Sequence, residues 1–251
     1  MDQWTDKVAV LTGAAHGIAK EIALSFAKKG VKTVIVDYNK ELGEKTSKEI
    51  EETTGIPSIF VACDVSKPED NVRVREATIK EFGRVDFLIL CAGVAYKNKV
   101  NEISIDEWQR TININLNGLF YGVKAFYEDF LTNKGSIVYI SSASHFSGTG
   151  GGVSYPASKA GGDGLMRGLA KELGPKGVNV NCIAPRLIDT GEMMRVNYPT
   201  QEALDKVLST IPVRRFGTTM DVANLAIFLA DPENSYIQGQ TIILDGGRTV
   251  S

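Results

Sequence analysis

The stretch Val8-Ala9-Val10-Leu11-Thr12-Gly13-Ala14-Ala15-His16-Gly17-Ile18-Ala19 carries an apolar run through a glycine turn and out into a helical pattern. Val8 to Leu11 is apolar on both faces, as in a strand buried inside a parallel sheet. Where such a strand turns into a helix, backbone N–H groups and the positive end of the helix dipole meet, an arrangement that suits a pyrophosphate. Gly13 permits the tight turn, Gly17 permits close approach, and Ala19 stands where a third glycine would pack helix against strand. His16 lies in the same turn, either against phosphate or as an exposed loop histidine.

The next apolar run ends in Val34-Ile35-Val36-Asp37. A carboxylate at the tip of a second strand accepts hydrogen bonds from the adenosine ribose hydroxyls and repels a 2′-phosphate, which favours NAD over NADP. The alternative is that Asp37 only caps the helix that follows.

Further apolar runs rich in Val and Ile recur at Ile59–Val61, Val85–Leu90, Ile137–Ile140, Val178–Ile183 and Thr241–Leu244. Between the runs lie helical patterns at Ile18–Lys29, Lys40–Thr53, Pro68–Phe82, Ile112–Phe130, Tyr155–Leu173 and Asp221–Leu229. Such alternation implies right-handed βαβ crossovers, hence an α/β doubly wound Rossmann fold with helices on both faces of a parallel sheet of about seven strands. Gly30 can close the first helix, and Ser66-Lys67-Pro68-Glu69 reads as an N-cap, a first-turn proline and an acidic residue. No Pro/Ser-rich or single-charge tract interrupts the pattern, so residues 1–251 read as one domain. The stretch 189–216 departs from the alternation, with a helix-like Glu202–Leu208 between Pro199 and Pro212, and is a candidate substrate lid or a surface helical hairpin.

A chain of 251 residues with 43% hydrophobic and 23% charged residues can bury a core without staples. The formal net charge of -2 gives no footprint for nucleic acid or an anionic membrane surface. Cys63, Cys91 and Cys182 lack metal-ligand spacing and are odd in number, so neither a disulfide framework nor a metal site is expected. With no secretory pattern at the N-terminus and no apolar run of spanning length, a cytoplasmic protein is expected.

Tyr155 and Lys159 stand four apart in the helical pattern Tyr-Pro-Ala-Ser-Lys, so both side chains leave one face. An adjacent ammonium stabilises a phenolate, which lets such a pair move a proton near neutral pH. The spacing also arises by chance, and its company decides the matter. Over essentially its whole length the chain resembles the short-chain dehydrogenase/reductase family. The matching residues are Thr12-Gly13-x-x-x-Gly17-Ile18, Asp37, Asp64-Val65, Ala92-Gly93, Asn115, Ser142, Tyr155 with Lys159, Pro185, Thr190 and Asp245-Gly246-Gly247.

The resemblance implies a role for each. Tyr155 is the general acid/base, Lys159 holds the nicotinamide ribose hydroxyls and depresses the phenol pKa, Ser142 bonds the substrate oxygen, and Asn115 supports a water relay. Asp64 and Val65 border the adenine, Ala92 and Gly93 the ribose, and Pro185, Ile188 and Thr190 the nicotinamide. Asn115 is chosen over Asn113 and Asn117 because Asn115-Leu116-Asn117-Gly118 falls on the family's Asn-Leu-x-Gly. The resemblance further implies a small-molecule substrate and a homo-oligomer, commonly a tetramer.

Two departures stand out. Cys91 replaces the asparagine that opens the family's Asn-Ala-Gly turn and is expected to be buried and unreactive. Arg186 replaces the glycine of Pro-Gly after strand six, where a guanidinium could pair with a carboxylate, phosphate or sulfonate, or point to water. Arg195 on the lid could join it, whereas Arg214 and Arg215 read as structural. His145 is placed to line the substrate pocket, and Gly148-Thr149-Gly150-Gly151-Gly152 could make that pocket roomy or mobile. The expected activity is hydride transfer between NAD(H) and a secondary alcohol or ketone, a polyol, sugar or hydroxy acid with or without an anionic group. A 3-oxoacyl thioester reductase and a non-catalytic NAD-sensing protein are the alternatives.

Overall fold

The computed structural model describes residues 3–191 and 198–249. Seven strands make one parallel sheet in the order β3-β2-β1-β4-β5-β6-β9. They are β1 (Val8–Thr12), β2 (Lys32–Asp37), β3 (Ser58–Ala62), β4 (Phe87–Leu90), β5 (Ser136–Ile140), β6 (Asn179–Pro185) and β9 (Thr241–Leu244). β1, β4, β5 and β6 are buried throughout, which is why β1, β4 and β5 carry continuous apolar runs, while β6 buries Asn179 and Asn181 among its apolar residues. Leu11 of β1 is paired with Ile35 of β2 on one side and Ile89 of β4 on the other. The direction of winding reverses there, which opens a crevice at the carboxyl ends of β1 and β4.

One face of the sheet buries Leu11, Ile35, Ile89 and Val138 against α1 (Gly17–Ala27) and the helix Thr219–Ala230. The other buries Val10, Val34, Leu88 and Tyr139 against α3 (Pro68–Phe82) and α8 (Ser154–Leu173), among others. With helices on both faces the fold is the doubly wound one, in a single domain. Among the described residues no helix is long and apolar enough to cross a membrane.

Three local expectations are corrected. Ser66 does not cap α3: Lys67 holds the N-cap position with Pro68 behind it, and the Ser66 hydroxyl donates instead to Asp64 Oδ1 at 2.6 Å. The pattern from Ile112 to Phe130 is not one helix. α4 (Ile105–Ile112) runs into a π-helical turn at Asn113–Asn117, followed by α5 (Gly118–Ala125) and α6 (Tyr127–Asn133). A wide π turn shifts the side-chain register, and such turns recur at functional sites. Finally, α1 ends at Ala27, with Gly30 (φ 87°) turning the chain just beyond it.

The departure before the last helix leaves the fold at β7 (Ile188–Asp189) and returns at β8 (Gly217–Thr218), and these two short strands pair with each other. Its helix spans Gln201–Ser209. Arg195 lies outside the described residues. Arg214 donates to the Ser209 carbonyl, and Arg215 makes a two-pronged ion pair with Asp221 at 2.6 and 3.0 Å, so both arginines serve structure.

Candidate active site

The crevice is lined along one wall by the β1–α1 turn. Gly13 (φ 67°) and Gly17 (φ 61°) both take left-handed backbone that side-chain-bearing residues rarely adopt. A Cβ on Gly13 would lie 2.8 Å from the Ala92 Cα, so the turn after β4 packs directly on it. At Gly17 no atom of the described residues beyond its own turn of helix lies within 4 Å of that position, which leaves the amide end of α1 open to the crevice. His16 is exposed at the start of α1 and makes no capping bond. Ala19 is fully buried where helix meets sheet.

Asp37 closes β2 beside this turn. Its Oδ2 accepts from the Ala15 N–H at 3.0 Å and its Oδ1 from the Asn39 N–H at 2.9 Å. The cap of α2 (Lys40–Thr54) is Asn39, whose side chain accepts from the Leu42 N–H, so the helix-cap alternative for Asp37 is excluded. Asp37 lines the cleft together with Tyr38, Asp64, Val65, Ala92, Gly93, Ile18 and Thr190, in a volume of about 1360 Å³. Tyr38, 80% exposed, and Lys97, Asp106, Gln109 and Arg110 line it too. Sequence reading missed these, and for Tyr38 the signal was its place directly after Asp37.

Thr12 does not face the cleft as a cofactor contact. It is buried, and its Oγ1 accepts from the Cys91 and Ala92 N–H groups at 3.1 and 3.3 Å, pinning the β4 turn to β1. Ile188 likewise turns its side chain inward, against Gly217, where a Cβ would sit 2.5 Å from Ile188 Cδ1. Pro185 ends β6, and its carbonyl accepts from the Ala143 N–H. Cys91 keeps a part-exposed edge on the cleft floor, and burial pushes its thiol up to about 11, far from thiolate chemistry.

Beyond Gly93 the crevice meets α8. Gly93 leaves room for Lys159, whose Nζ would be only 3.7 Å from a Cβ there. The lysine is 3% exposed, donates to the Ile140 carbonyl at 2.8 Å, and lies 5.6 Å from the centroid of the Tyr155 ring and 4.9 Å from that of Tyr139. Burial alone would lower its pKa, yet the Tyr139, Tyr155 and Cys91 groups around it hold it above the ordinary lysine value. Burial raises the pKa of the Tyr139 phenol.

Asn115 sits in the π turn, fully buried. Its Oδ1 accepts from the Val94 N–H at 2.8 Å, and its Nδ2 donates to the Val94 carbonyl at 2.8 Å and to Ser158 Oγ at 3.0 Å. Ser158 Oγ in turn donates to the Tyr155 carbonyl, so Asn115 ties the β4 turn to the helix of Tyr155. Ser142 follows β5 and is half-buried, its Oγ accepting from the Ser144 N–H at 3.2 Å.

Two substrate-side expectations change. His145 does not line an open pocket: its side chain is 8% exposed and turned toward Asp163. Two glycines of the loop after it are tightly packed, since a Cβ on Gly151 would lie 2.8 Å from the Tyr155 Cβ and one on Gly152 2.5 Å from the Asn98 carbonyl oxygen, whereas Gly148 has open space. Gly151 and Gly152 are required by close packing. Arg186 is half-buried, and its Nη2 donates to Thr149 Oγ1 at 3.3 Å. Burial and the nearby Arg248 push its pKa down, with Asp245 opposing them.

Known proteins resemble this chain along nearly its whole length. A family model described as enoyl-(acyl carrier protein) reductase matches residues 13–249. The 3-oxoacyl-[acyl-carrier-protein] reductase of Buchnera aphidicola is 36% identical over 244 residues, covering 97% of each chain. The trans-4-hydroxycyclohexanecarboxylate dehydrogenase of Sinomonas cyclohexanicum is 33% identical, covering 99% of this chain and 95% of its own. The crystal structure of levodione reductase superposes with a TM-score of 0.92 at 28% identity, covering 98% of this chain and 99% of its own. With a family model matching nearly end to end and relatives this similar, the chain belongs to the short-chain dehydrogenase/reductase family, an oxidoreductase acting on CH–OH groups with a nicotinamide cofactor.

Proposed function

We propose that the protein transfers hydride between NAD(H) and a secondary alcohol or ketone, with a polyol, sugar or hydroxy acid as substrate. The observation that carries this reading is the buried Lys159 ammonium, seated between the Gly93 floor of the cleft and the Tyr155 ring. A buried charge is costly, and here it lies where it favours an anionic phenol oxygen.

Bound nicotinamide supplies or accepts the hydride. Everything else falls to the chain. Tyr155 moves the proton at the substrate oxygen, Ser142 Oγ orients that oxygen by hydrogen bonding, and Lys159 Nζ holds ribose hydroxyls and the Tyr155 charge. Asn115 fixes the β4 turn relative to α8 and supports a proton path beside Lys159. Gly13, Gly17 and Ile18 with His16 receive the pyrophosphate, and Asp37 receives the adenosine ribose. Each Asp37 oxygen takes one backbone N–H and keeps lone pairs for ribose hydroxyls, whereas a 2′-phosphate would meet a carboxylate. Asp64, Val65, Ala92 and Gly93 border the nucleoside, and the Pro185–Thr190 segment borders the nicotinamide. The segment 189–216 serves as the lid.

Arg186 takes an anionic group of the substrate. Its guanidinium donates to Thr149 in the loop that packs on Tyr155, where a half-buried cation can meet an anionic group. A second reading, reduction of a 3-oxoacyl thioester, draws on the activity named for the Buchnera relative. A homo-tetramer in a reducing cytoplasm fits the family resemblance and the three unpaired thiols.

A spectrophotometric screen for NADH formation across polyols, sugar phosphates, hydroxy acids and hydroxysulfonates tests the proposal. Turnover of at least one such compound with NAD+ is expected. Activity confined to 3-oxoacyl thioesters with NADPH would replace this reading with the second.

A further inference from the structure

Asp163 lies on α8 two turns past Tyr155, in the series Tyr155, Lys159, Asp163 that shares one helix face. Its side chain is 1% exposed. A carboxylate in such a place is costly unless it is paired, and nothing in sheet packing asks for one. Two groups meet it. Thr241 Oγ1 of β9 donates to Oδ2 at 2.9 Å, and His145 Nε2 lies 3.3 Å from the same oxygen. The other oxygen, Oδ1, is buried with no hydrogen-bond partner among the described residues.

The imidazole continues toward the reaction site. His145 Nδ1 lies 2.6 Å from the Ser142 carbonyl oxygen. A carbonyl only accepts, so the proton on that contact belongs to Nδ1. Both ring nitrogens therefore face acceptors, and the ring donates to both only when it carries a proton on each nitrogen; His145 belongs to the short helix α7 (Ser144–Ser147). Ser142 itself precedes that helix in a turn: its hydroxyl takes the Ser144 N–H, its carbonyl also takes the His145 backbone N–H at 3.4 Å, and the flanking Ser141 and Ala143 N–H groups reach the Ile183 and Pro185 carbonyls.

We propose that His145 and Asp163 are a positioning pair for Ser142, the imidazole holding the serine's carbonyl and the carboxylate holding the imidazole to the helix that carries Tyr155 and Lys159. The pair adds a contact between the Ser142 turn and α8 to the one Lys159 makes with the Ile140 carbonyl, and so fixes the span between the Ser142 hydroxyl and the Tyr155 phenol. It rests on the reading of Ser142, Tyr155 and Lys159 as the groups that meet the substrate. The competing account is that His145 only neutralises a buried carboxylate, in which case removing it changes stability and leaves each folded site as fast as before.

The test compares wild type, His145→Ala, Asp163→Asn and the double variant as full-length protein. Each is measured for NAD+ affinity, thermal midpoint, and kcat and KM on the alcohol that yields NADH fastest in the screen above, or on acetoacetyl-CoA with NADH if no alcohol does. Misplacement of a reacting group by about 1 Å costs on the order of 100-fold, so kcat per folded site should fall about 10- to 100-fold in each single variant with NAD+ affinity unchanged. Because the two residues act as one unit, the double variant should be no slower than the slower single one. Unchanged kcat per folded site, or losses that multiply in the double variant, would overturn the proposal. A crystal structure of Asp163→Asn with NAD+ decides without turnover: Ser142 should shift relative to Tyr155, and an unmoved Ser142 would overturn the pair's role. If wild type turns over neither probe, the functional reading above fails while that structure still decides this one. If His145→Ala does not fold, His145→Gln and Asp163→Asn carry the comparison.

Discussion

The crevice around Gly13 and Asp37 is shaped by backbone, whereas the neighbouring half of the site around Ser142, Thr149 and Arg186 is shaped by loops and long side chains. In the first, left-handed glycines, an open helix end and a strand-tip carboxylate set the surface, and each follows from the covalent geometry of a βα turn. In the second, a guanidinium and a packed glycine loop set it, and neither is dictated by the sheet. A surface made by backbone serves any member of a fold, and a surface made by side chains can change with the substrate.

The largest effect expected lies where the two halves meet. Tyr155→Phe should lower kcat by about 10²- to 10⁴-fold, the usual worth of a positioned acid/base, while calorimetry shows NAD+ binding retained. Loss of NAD+ binding as well would mean that the halves are not separable. Next, Asp37→Ala should cost NAD+ about 10- to 100-fold in kcat/KM, since hydrogen bonds to a charged group contribute about 1.5–3 kcal/mol, and should narrow discrimination against NADP+. Steady-state kinetics with both cofactors checks it.

On the side-chain half, Arg186→Gly should lower kcat/KM for an anionic substrate about 10- to 100-fold and leave a neutral polyol nearly unaffected. Equal changes for both would remove the anion role. The smallest effect belongs to the junction at β8 and the last helix. Asp221 closes a capping box with Thr218 and pairs with Arg215, and these contacts hold its carboxyl well below the usual range. Asp221→Asn should cost about 1 kcal/mol, or about 2–4 °C in Tm. A folded-state pKa below the unfolded value means that the carboxylate's contribution is complete above the unfolded value of about 3.9 and is lost as pH falls through the folded one. Thermal melts at pH 7 and pH 3 should therefore show the wild-type advantage shrinking at the lower pH.

The same contrast explains what could be read without coordinates. The strands and their alternation with helices were legible because buried parallel strands carry continuous Val/Ile runs, and Thr241–Leu244 was placed to the residue. Gly13, Gly17 and Asp37 were legible because their positions relative to strand ends carry the geometry. The break at Asn113–Asn117 was not, since a π turn leaves the apolar pattern on both sides intact and alters only the hydrogen-bond register. Nor was the inward turn of His145: its partner Asp163 is distant in sequence, and no local periodicity announces a contact between a short turn and the middle of a helix. Thr12 and Ile188 were expected at the cleft from their chain positions, but both are buried, Thr12 bonded to the β4 turn and Ile188 packed on Gly217.

The central claim is that Asp37 and the glycine turn make this an NAD-selective site. Isothermal titration of the wild-type protein with NADH and with NADPH tests it without any knowledge of the substrate. The account predicts binding of NADH at least about tenfold tighter, a difference of about 1.4 kcal/mol. Equal affinities, or tighter binding of NADPH, would contradict it.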